Sequence, residues 1–462
     1  MQRIVSSGAL KKKADPANPV RLAVAYSGGL DSAVLLHLCA AYVTQHALSL
    51  SAFHVHHGLS PNAGDWVLHC QRQSEALQIP FDAAHVQLGD TGQDGVEATA
   101  RKKRYQALGT LCRRHRIDVL LTAHHQDDQA ETILLHLLRG TGLAGLRGMQ
   151  QLHTAPNLLG HDGLCLARPL LDCNRSELEQ YARDHQLVHI DDESNADPRY
   201  TRNALRLNIM PLLAQHFPAY QNRFARTAHH VSASLELLAQ ITEQDYALCR
   251  IDGETAVLDV TRLQTLSQAR IDHVLRHWIA LHHVPMPSTA RLAEMRKQLL
   301  DARDDAQVTI RHDTIELHRY RHHLQIAHCA NPLPELQPFV WNGETCMAFP
   351  AFGGDLHFET PESGQTGIDR DWLLAQPLTL RSRQGGERLR LAANRPTRDI
   401  KSHYQTLGIP YWQRKRLPFV FAGTTLLFAA GVGVDGKFLT SVASGVCMRW
   451  QQYTAGEGHP GS

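Results

Sequence analysis

The chain has 462 residues, more than one hydrophobic core usually serves, so two or three domains are expected. A content of 43% hydrophobic and 20% charged residues fits a soluble globular class, and no stretch is long and apolar enough to span a bilayer. The net charge of only +2 excludes nucleic-acid binding through overall charge; any basic surface has to be local.

Residues 1–20 are expected to be loosely ordered, and Lys11-Lys12-Lys13 leads into Pro16 and Pro19 without an apolar core, so no secretion signal is expected. Leu22 to Tyr26 then reads as a short buried strand, stopped by the turn Ser27-Gly28-Gly29-Leu30-Asp31-Ser32. Ala33 to Leu38 opens a helix. Leu50 to Val55 is a second strand, followed by a helix from Asn62 to Leu77 and a weaker strand from Phe81 to Val86. Gly95 to Arg116 has helical spacing, with Val96, Ala100, Leu108 and Leu111 on one side and basic residues on the other. Ile117 to Thr122 is a strand and Gln126 to Arg139 a helix. This alternation predicts an α/β domain, a parallel sheet covered by helices on both faces. The loops after Tyr26, Val55 and Thr122 then share one cleft at the carboxyl ends of the strands.

The alternation fades after Leu187. Asn203 to Leu213 reads as helix broken by Pro211, and Pro218 to Leu248 as a long helix leading into a unit rich in helix and histidine. Pro332, Pro334 and Pro338 mark the entrance to a last segment with β-type runs such as Phe419-Val420-Phe421 and Leu426-Leu427-Phe428. The expected limits are 1–20, 21–217, 218–335, 336–455 and a disordered tail, 456–462.

The strand, the glycine-rich turn and the helix together make an anion pocket. Glycine lets the backbone approach a phosphate, and free N–H groups at a helix start point at it. Ser27 and Ser32 add hydroxyl donors. A carboxylate beside a phosphate repels it unless a divalent cation lies between, so Asp31 reads as a Mg²⁺ contact. The plainer alternative is a tight turn with Asp31 as N-cap. The loop is neither the Walker pattern nor Gly-x-Gly-x-x-Gly. In His124-His125-Gln126-Asp127-Asp128-Gln129-Ala130-Glu131, Asp128 and Glu131 share a helix face. They either complement the macrodipole, hold a cationic substrate such as an ammonium group, or bind a metal. Zinc is disfavoured without His-Glu-x-x-His. His124 or His125 can reach a phosphate or ribose. Arg139-Gly140-Thr141-Gly142 combines a phosphate-binding guanidinium with a closely approaching backbone, or is simply a helix C-cap at Gly140.

The string SGGLDS resembles the pyrophosphate loop of the N-type ATP pyrophosphatases. With it, in order, come HVHHGL (His54 to Leu59), HHQDDQAET, RGTGLAGL, RPLL (Arg168 to Leu171), DDESN (Asp191 to Asn195) and RNALR (Arg202 to Arg206). Together they resemble the tRNA(Ile)-lysidine synthetase family. The likeness is dense over residues 20–215 and returns in GGERLR (Gly385 to Arg390), IPYWQRKRLP (Ile409 to Pro418) and GVGVD (Gly431 to Asp435). The resemblance implies a HUP-like, Rossmann-like ATP pyrophosphatase domain, a helical middle domain and a small α+β C-terminal domain. It implies that ATP adenylates C2 of the wobble cytidine of tRNA(Ile) with a CAU anticodon. The amine of free L-lysine then displaces AMP, giving lysidine and a shift from AUG to AUA decoding.

On that reading ATP lies on Ser27, Gly28, Gly29, Leu30, Asp31, Ser32, His54, His124 and Gly140. Asp31, Asp128, Glu131 and Arg139 are catalytic, and Asp128 and Glu131 recognise lysine. Arg202 and Arg206 meet the nucleotide or tRNA, or else form a solvated or structural ion pair with Asp191, Asp192 or Glu193. Between Arg381 and Arg416 ten residues are Lys or Arg and only Glu387 and Asp399 are acidic, with Tyr404, Tyr411 and Trp412 interleaved. Arg383, Arg388, Lys401, Arg414, Lys415 and Arg416 are therefore expected to grip tRNA. Nine scattered cysteines with no Cys-x-x-Cys pair favour a reducing cytoplasm and weigh against a tRNA thiolase on the same loop. No glutaminase segment accompanies the loop, against a GMP synthetase-like ligase. A nucleotide-binding or RNA-binding module without turnover would be expected to lose Asp31 or the acidic pair. No membrane partner is expected, and a homodimer is a candidate assembly.

Overall fold

Apolar strands alternating with helices through Leu187 build one twisted sheet. It is seen in a computed structural model describing residues 19–56, 63–87, 95–191, 201–251, 253–303, 306–329, 332–361, 366–392, 394–440 and 445–453. Most of 1–20, all of 456–462, and Asp192 and Glu193 lie outside the described residues. The chain divides into two units, Met1–Ala239 and Gln240–Ser462.

In the first unit the strands are β1 (Val20–Ala25), β2 (Leu48–His56), β3 (Phe81–His85), β4 (Val119–Leu121), β5 (Leu152–Thr154) and β6 (Cys165–Ala167). Their order is β3-β2-β1-β4-β6-β5, parallel except for β5, which runs antiparallel to β6. The helices are α1 (Leu30–Val43), α2 (Ala63–Ala76), α3 (Gly95–Arg114), α4 (Gln126–Leu138), α5 (Leu143–Leu146), α6 (Pro156–Leu159) and α7 (Arg175–Asp184). Side chains alternate across the strands, so each strand feeds two cores. Leu22, Val24, Val119 and Leu121 pack under α1, α2 and α7. Ala23, Phe53 and Leu120 pack against Tyr105, Leu108 and Leu111 of α3. The chain proceeds outward from β1 to β3, then returns to lay β4 on the other side of β1. This reversal opens a crevice at the carboxyl ends of β1 and β4.

The helix expected to break at Pro211 continues instead through a π-helical stretch. Thr201–Ala204 (α8) leads into π turns at Leu205–Ile209 and then α9 (Met210–His216). Proline has no N–H to give and its ring crowds the preceding turn, so the chain widens there rather than ending. Met210 and Tyr220 bury against Ala130, which packs α9 and the start of α10 (Tyr220–Cys249) onto α4.

The second unit holds two cores. One is helical, as expected, with α11 (Val260–Leu263), α12 (Gln268–Ala280) and α13 (Thr289–Leu300) gathered around Trp278. It also carries a five-stranded antiparallel sheet that the helical reading did not include. That sheet is β7 (Arg250–Ile251), β8 (Glu254–Asp259), β9 (Val308–His312), β10 (Ile315–Tyr320) and β11 (His323–His328), in the order β7-β8-β11-β10-β9. The other core, around Phe349, Tyr404 and Phe419, is α+β, with two five-stranded sheets and the short helices Arg370–Leu374 (α14), Ile400–Thr406 (α15) and Tyr411–Arg414 (α16).

Gly109 on α3 lies against the α6 backbone, where an added Cβ would sit 1.8 Å from the Leu159 carbonyl oxygen. Gly109→Ala is expected to destabilise the first unit by about 1–3 kcal/mol, read as a lowered urea midpoint. An unchanged midpoint would mean that α3 can move off α6 freely.

Candidate active site

A cleft of about 510 Å³ opens at the sheet's carboxyl edge. It is lined by the Ser27–Ser32 turn, the end of β2 at His54 to His56, and Thr122 to His124 after β4. The three expected loops therefore do share it. A second cavity, of about 490 Å³, lies in the other unit and is lined mainly by Pro332, Pro334, Pro350 and Arg416; among the described residues that line it there is no carboxylate or histidine.

The turn is shaped for an anion. Gly28 has φ +90°, and a Cβ there would lie 2.7 Å from Ile190 Cδ1, so only glycine fits. Gly29, not Asp31, is the N-cap of α1 and brings no side-chain cap, leaving the first-turn amides to the cleft. The Ser27 and Ser32 hydroxyls lie 3.0 Å apart. Ser32 donates to the Gly29 carbonyl at 2.9 Å. Asp31 Oδ2 accepts from Arg175 Nη1 at 3.2 Å and stands 3.7 Å from His125 Nε2. Its Oδ1 is buried and has no protein hydrogen-bond partner. Burial pushes the Asp31 carboxyl up, against the pull of His125 and Arg175. A buried carboxylate oxygen beside an anion turn fits a hard cation such as Mg²⁺.

His125 caps α4 and is 1% exposed. Asp31, Asp127 and Asp128 surround its ring at 3.5–3.7 Å. Burial alone would lower its pKa, but the three carboxylates win and raise it. Asp127 accepts from the Arg175 backbone N–H at 2.9 Å and from Gln221 at 2.8 Å. These bonds hold it below the usual carboxylate range despite burial. His124 is different: its Nδ1 lies 2.9 Å from Thr122 Oγ1, and burial drops its pKa to about 3, so it is neutral. His54 is buried and donates from Nδ1 to the Tyr26 carbonyl at 2.9 Å.

The acidic pair and the two arginines, expected to serve different ligands, meet each other. Arg202 donates to Glu131 at 2.8 Å and to Asp128 at 3.1 Å. Arg206 donates to Glu131 at 2.7 Å and to Asp128 at 3.2 Å. The ion-pair alternative thus holds for these arginines, with partners on α4 in place of Asp191. Glu131 is only 2% exposed, while Asp128 and Arg206 line the cleft.

Arg139 and Gly140, expected at the nucleotide, sit elsewhere. Both are exposed at the far end of α4, on the order of 20 Å of helix from its cleft-facing start. Gly140, with φ +67°, follows the helix C-cap at Arg139, as the plainer alternative had it. Neither lines the cleft.

In the second unit Lys401 and Lys415 are exposed, as is Arg388, which stands 3.7 Å from Asp399. Arg383 is half-buried beside Glu387, and Arg416 lines the proline cavity. Arg414 corrects the expectation: it is 5% exposed and donates to the Ile409 carbonyl at 2.6 Å, so it builds the fold.

The comparisons with known proteins agree with this geometry. A PP-loop domain family matches residues 4–213, a TilS substrate binding domain family residues 258–325, and a TilS substrate C-terminal domain family residues 378–450. The tRNA(Ile)-lysidine synthase of Burkholderia pseudomallei is 39% identical, covering 90% of this chain and 89% of that one. That of Ralstonia nicotianae is 38% identical, covering 93% and 92%, and that of Shigella flexneri 36%, covering 94% and 96%. The chain belongs to the tRNA(Ile)-lysidine synthase family. It is an enzyme with a PP-loop ATP-binding domain, ATP is its co-substrate and tRNA its substrate.

Several cleft residues escaped the sequence reading. Trp66, Arg104 and Tyr105 line the wall, and Arg175 reaches Asp31 from the start of α7. Arg104 belongs to the basic side of α3. The signal for Arg175 was the box Asn174 to Glu177, which announces a helix start.

The raised pKa of His125 makes its contribution to stability full below about pH 6.5, and that contribution is lost as pH climbs through the folded value. The stability gap between wild type and His125→Gln should therefore be larger at about pH 5.5 than at about pH 8.5 in urea titrations. A gap that grows with pH would contradict the charge assignment.

Proposed function

We propose that this cleft adenylates the C2 carbonyl oxygen of the wobble cytidine in a CAU-anticodon tRNA(Ile) and then joins free L-lysine to that carbon. The observation that carries the reading is the meeting of the amide-lined turn and a buried Asp31 oxygen with no protein partner in a cleft bordered by a cluster of four carboxylates facing three guanidiniums and one imidazole, of which Asp31, Asp128, Arg175 and Arg206 line the cleft. The turn amides and the Ser27 and Ser32 hydroxyls receive the phosphates leaving as pyrophosphate. Asp31 would hold Mg²⁺, which when bound neutralises the phosphate charge. Arg175 neutralises Asp31 from the protein side. His124 and His54 stay uncharged or buried at the wall and orient the nucleotide.

In the first step the cytidine oxygen bonds to the α-phosphorus and the α–β phosphate bond breaks. In the second the lysine amine bonds to C2, the C2–oxygen bond breaks, and AMP departs with that oxygen. A carbonyl oxygen leaves poorly, and adenylation converts it into part of a good leaving group. The amine must first give up its proton. Lysine arrives with an α-ammonium, a carboxylate and an ε-ammonium, the last being the amine that reacts once deprotonated, and the cluster offers a counterpart for the first two. Its α-ammonium can replace a guanidinium on Asp128, and its carboxylate can take Arg206. Glu131, being buried, acts on lysine through Arg202 and Arg206, which it orients.

In the tail, exposed Arg388, Lys401 and Lys415, with Arg383 and Arg416 at its margin, supply phosphate contacts that position the tRNA body. The domain limits 21–217, 218–335 and 336–455 belong to this reading, supported by the separate cores. No helix among the described residues is long and apolar enough to cross a membrane, which suits an enzyme working on cytoplasmic tRNA.

Pyrophosphate release should require ATP, lysine and the CAU-anticodon tRNA together; release without lysine or tRNA would separate nucleotide hydrolysis from ligation. Asp31→Asn is expected to abolish release while leaving the fold intact. Asp128→Ala should raise the KM for lysine at least about tenfold while moving that for ATP little, and the opposite split would move Asp128 to the nucleotide. Lys401→Glu with Lys415→Glu should weaken tRNA binding and flatten its salt dependence by about two contacts' worth. An unaltered slope would place the tRNA on another surface.

A further inference from the structure

We propose that Cys346, Asp355 and His357 form a zinc site on the outer hairpin of the C-terminal sheet. Strand β12 (Cys346–Phe349) is the edge of its sheet and pairs antiparallel with β13 (Gly354–Glu359). Cys346 stands directly opposite His357, and Asp355 lies two residues before it, so all three side chains leave one face. The opposite face carries Phe349, Leu356 and Phe358 into the core, which fixes which way the three point. Their ligand atoms all lie within 4.8 Å of one another, and Cys346 Sγ is 4.0 Å from His357 Nε2. Ligand atoms around tetrahedral zinc are about 3.5 Å apart, so small side-chain rotations close the site.

The surroundings suit an ion. Tyr453 donates its hydroxyl to Asp355 Oδ1 at 2.6 Å, an outer partner of the kind that orients metal-binding carboxylates. Arg449, opposite His357 on the next strand, β14 (Gly445–Gln452), is tied to Glu359 at 2.9 Å, which offsets its charge beside the site. One thiolate, one imidazole and one carboxylate form a donor set for zinc; a hard cation such as Mg²⁺ would not select the sulfur. Three protein ligands leave a fourth position for water or an outside group. Bound zinc would clamp the edge strand β12 to β13 through side chains on one face of the sheet.

The test uses the full-length, metal-stripped chain and Co²⁺ or Zn²⁺ alone. One equivalent of Co²⁺ should give a thiolate-to-cobalt charge-transfer band. Cys346→Ser and His357→Asn should each remove or strongly reduce it and weaken zinc binding at least about tenfold in competition with a chromogenic chelator. Cys329→Ser, in a half-buried cysteine outside the cluster, should leave the band intact. Zinc should raise the thermal midpoint of wild type but not of Cys346→Ser. No band in wild type, a band that survives Cys346→Ser, or one indifferent to His357→Asn would each overturn the site. Because Cys346 is exposed, its serine variant retains the fold, and a matching urea midpoint without metal checks this.

Discussion

Three helices begin at one crevice, and the charge they collect there organises the first unit. The positive ends of α1, α4 and α7 favour anions, which is why Asp31, Asp127 and Asp128 accumulate beside them. Buried carboxylates cost several kcal/mol each to desolvate, on the order of what a single partner returns. The cluster stands because nearly every oxygen is answered: Asp127 by the α7 backbone and Gln221, Asp128 by the His125 N–H and two guanidiniums, Glu131 by the same two. Asp31 Oδ1 is the exception. That exception lies where the turn amides gather, so the unanswered carboxylate oxygen of the cluster coincides with the part shaped for phosphate.

The near balance of the cluster bears on how a site can be stable empty and still bind a charged amino acid. Four carboxylates against three guanidiniums and a His125 whose positive form is favoured leave little net field. Free lysine carries two ammonium groups and one carboxylate, but once its ε-amine has given up a proton it brings no net charge either, so exchanging its α-ammonium and carboxylate for one internal ion pair conserves the balance. A lone ammonium ligand would have to displace a guanidinium with nothing to replace it. In the proposed reading this selects for a free amino acid over a simple amine. The π turns at Leu205–Ile209 place Arg206 beside Arg202 on the same pair of carboxylates.

How much of this was legible in the sequence follows from which signals are local. The strands of the first sheet and the Ser27–Ser32 turn were readable because apolar runs and glycine turns are local patterns. The Asp128–Arg206 contact was not, because it joins residues far apart in sequence whose meeting depends on α9 packing onto α4 through Met210 and Ala130. Arg139 lies at the other end of α4 from the loop after Thr122, and a guanidinium beside glycines reads as a phosphate contact although those glycines announce only a helix end. The middle sheet was missed although its β7–β8 hairpin turns at Gly253, with φ +82°, because its other two hairpins turn without glycine. Asp313 and Arg321 take positive φ, +52° and +56°, in the two-residue loops between β9, β10 and β11. Side chains rarely adopt that backbone, so the sequence there carries no turn signature.

The tail shows why counting cations and aromatics along a chain overstates a binding surface. Arg414 is inside, with its Nη2 3.4 Å from the Tyr320 hydroxyl. Trp412 stacks on His318 at 4.2 Å with planes 7° apart, Tyr411 donates to the Val308 carbonyl at 2.8 Å, and Tyr404 is buried with its hydroxyl on the Ala430 carbonyl. These aromatic rings are occupied in packing α15 and α16 and are not free to stack on bases. What stays at the surface is charge, chiefly Lys401, Lys415 and Arg388. Charge reads phosphate and not sequence. A tail of this kind can hold many tRNAs, so in the proposed reading discrimination falls to the cleft, where a cytosine must present C2 to the α-phosphorus and to the amine in turn.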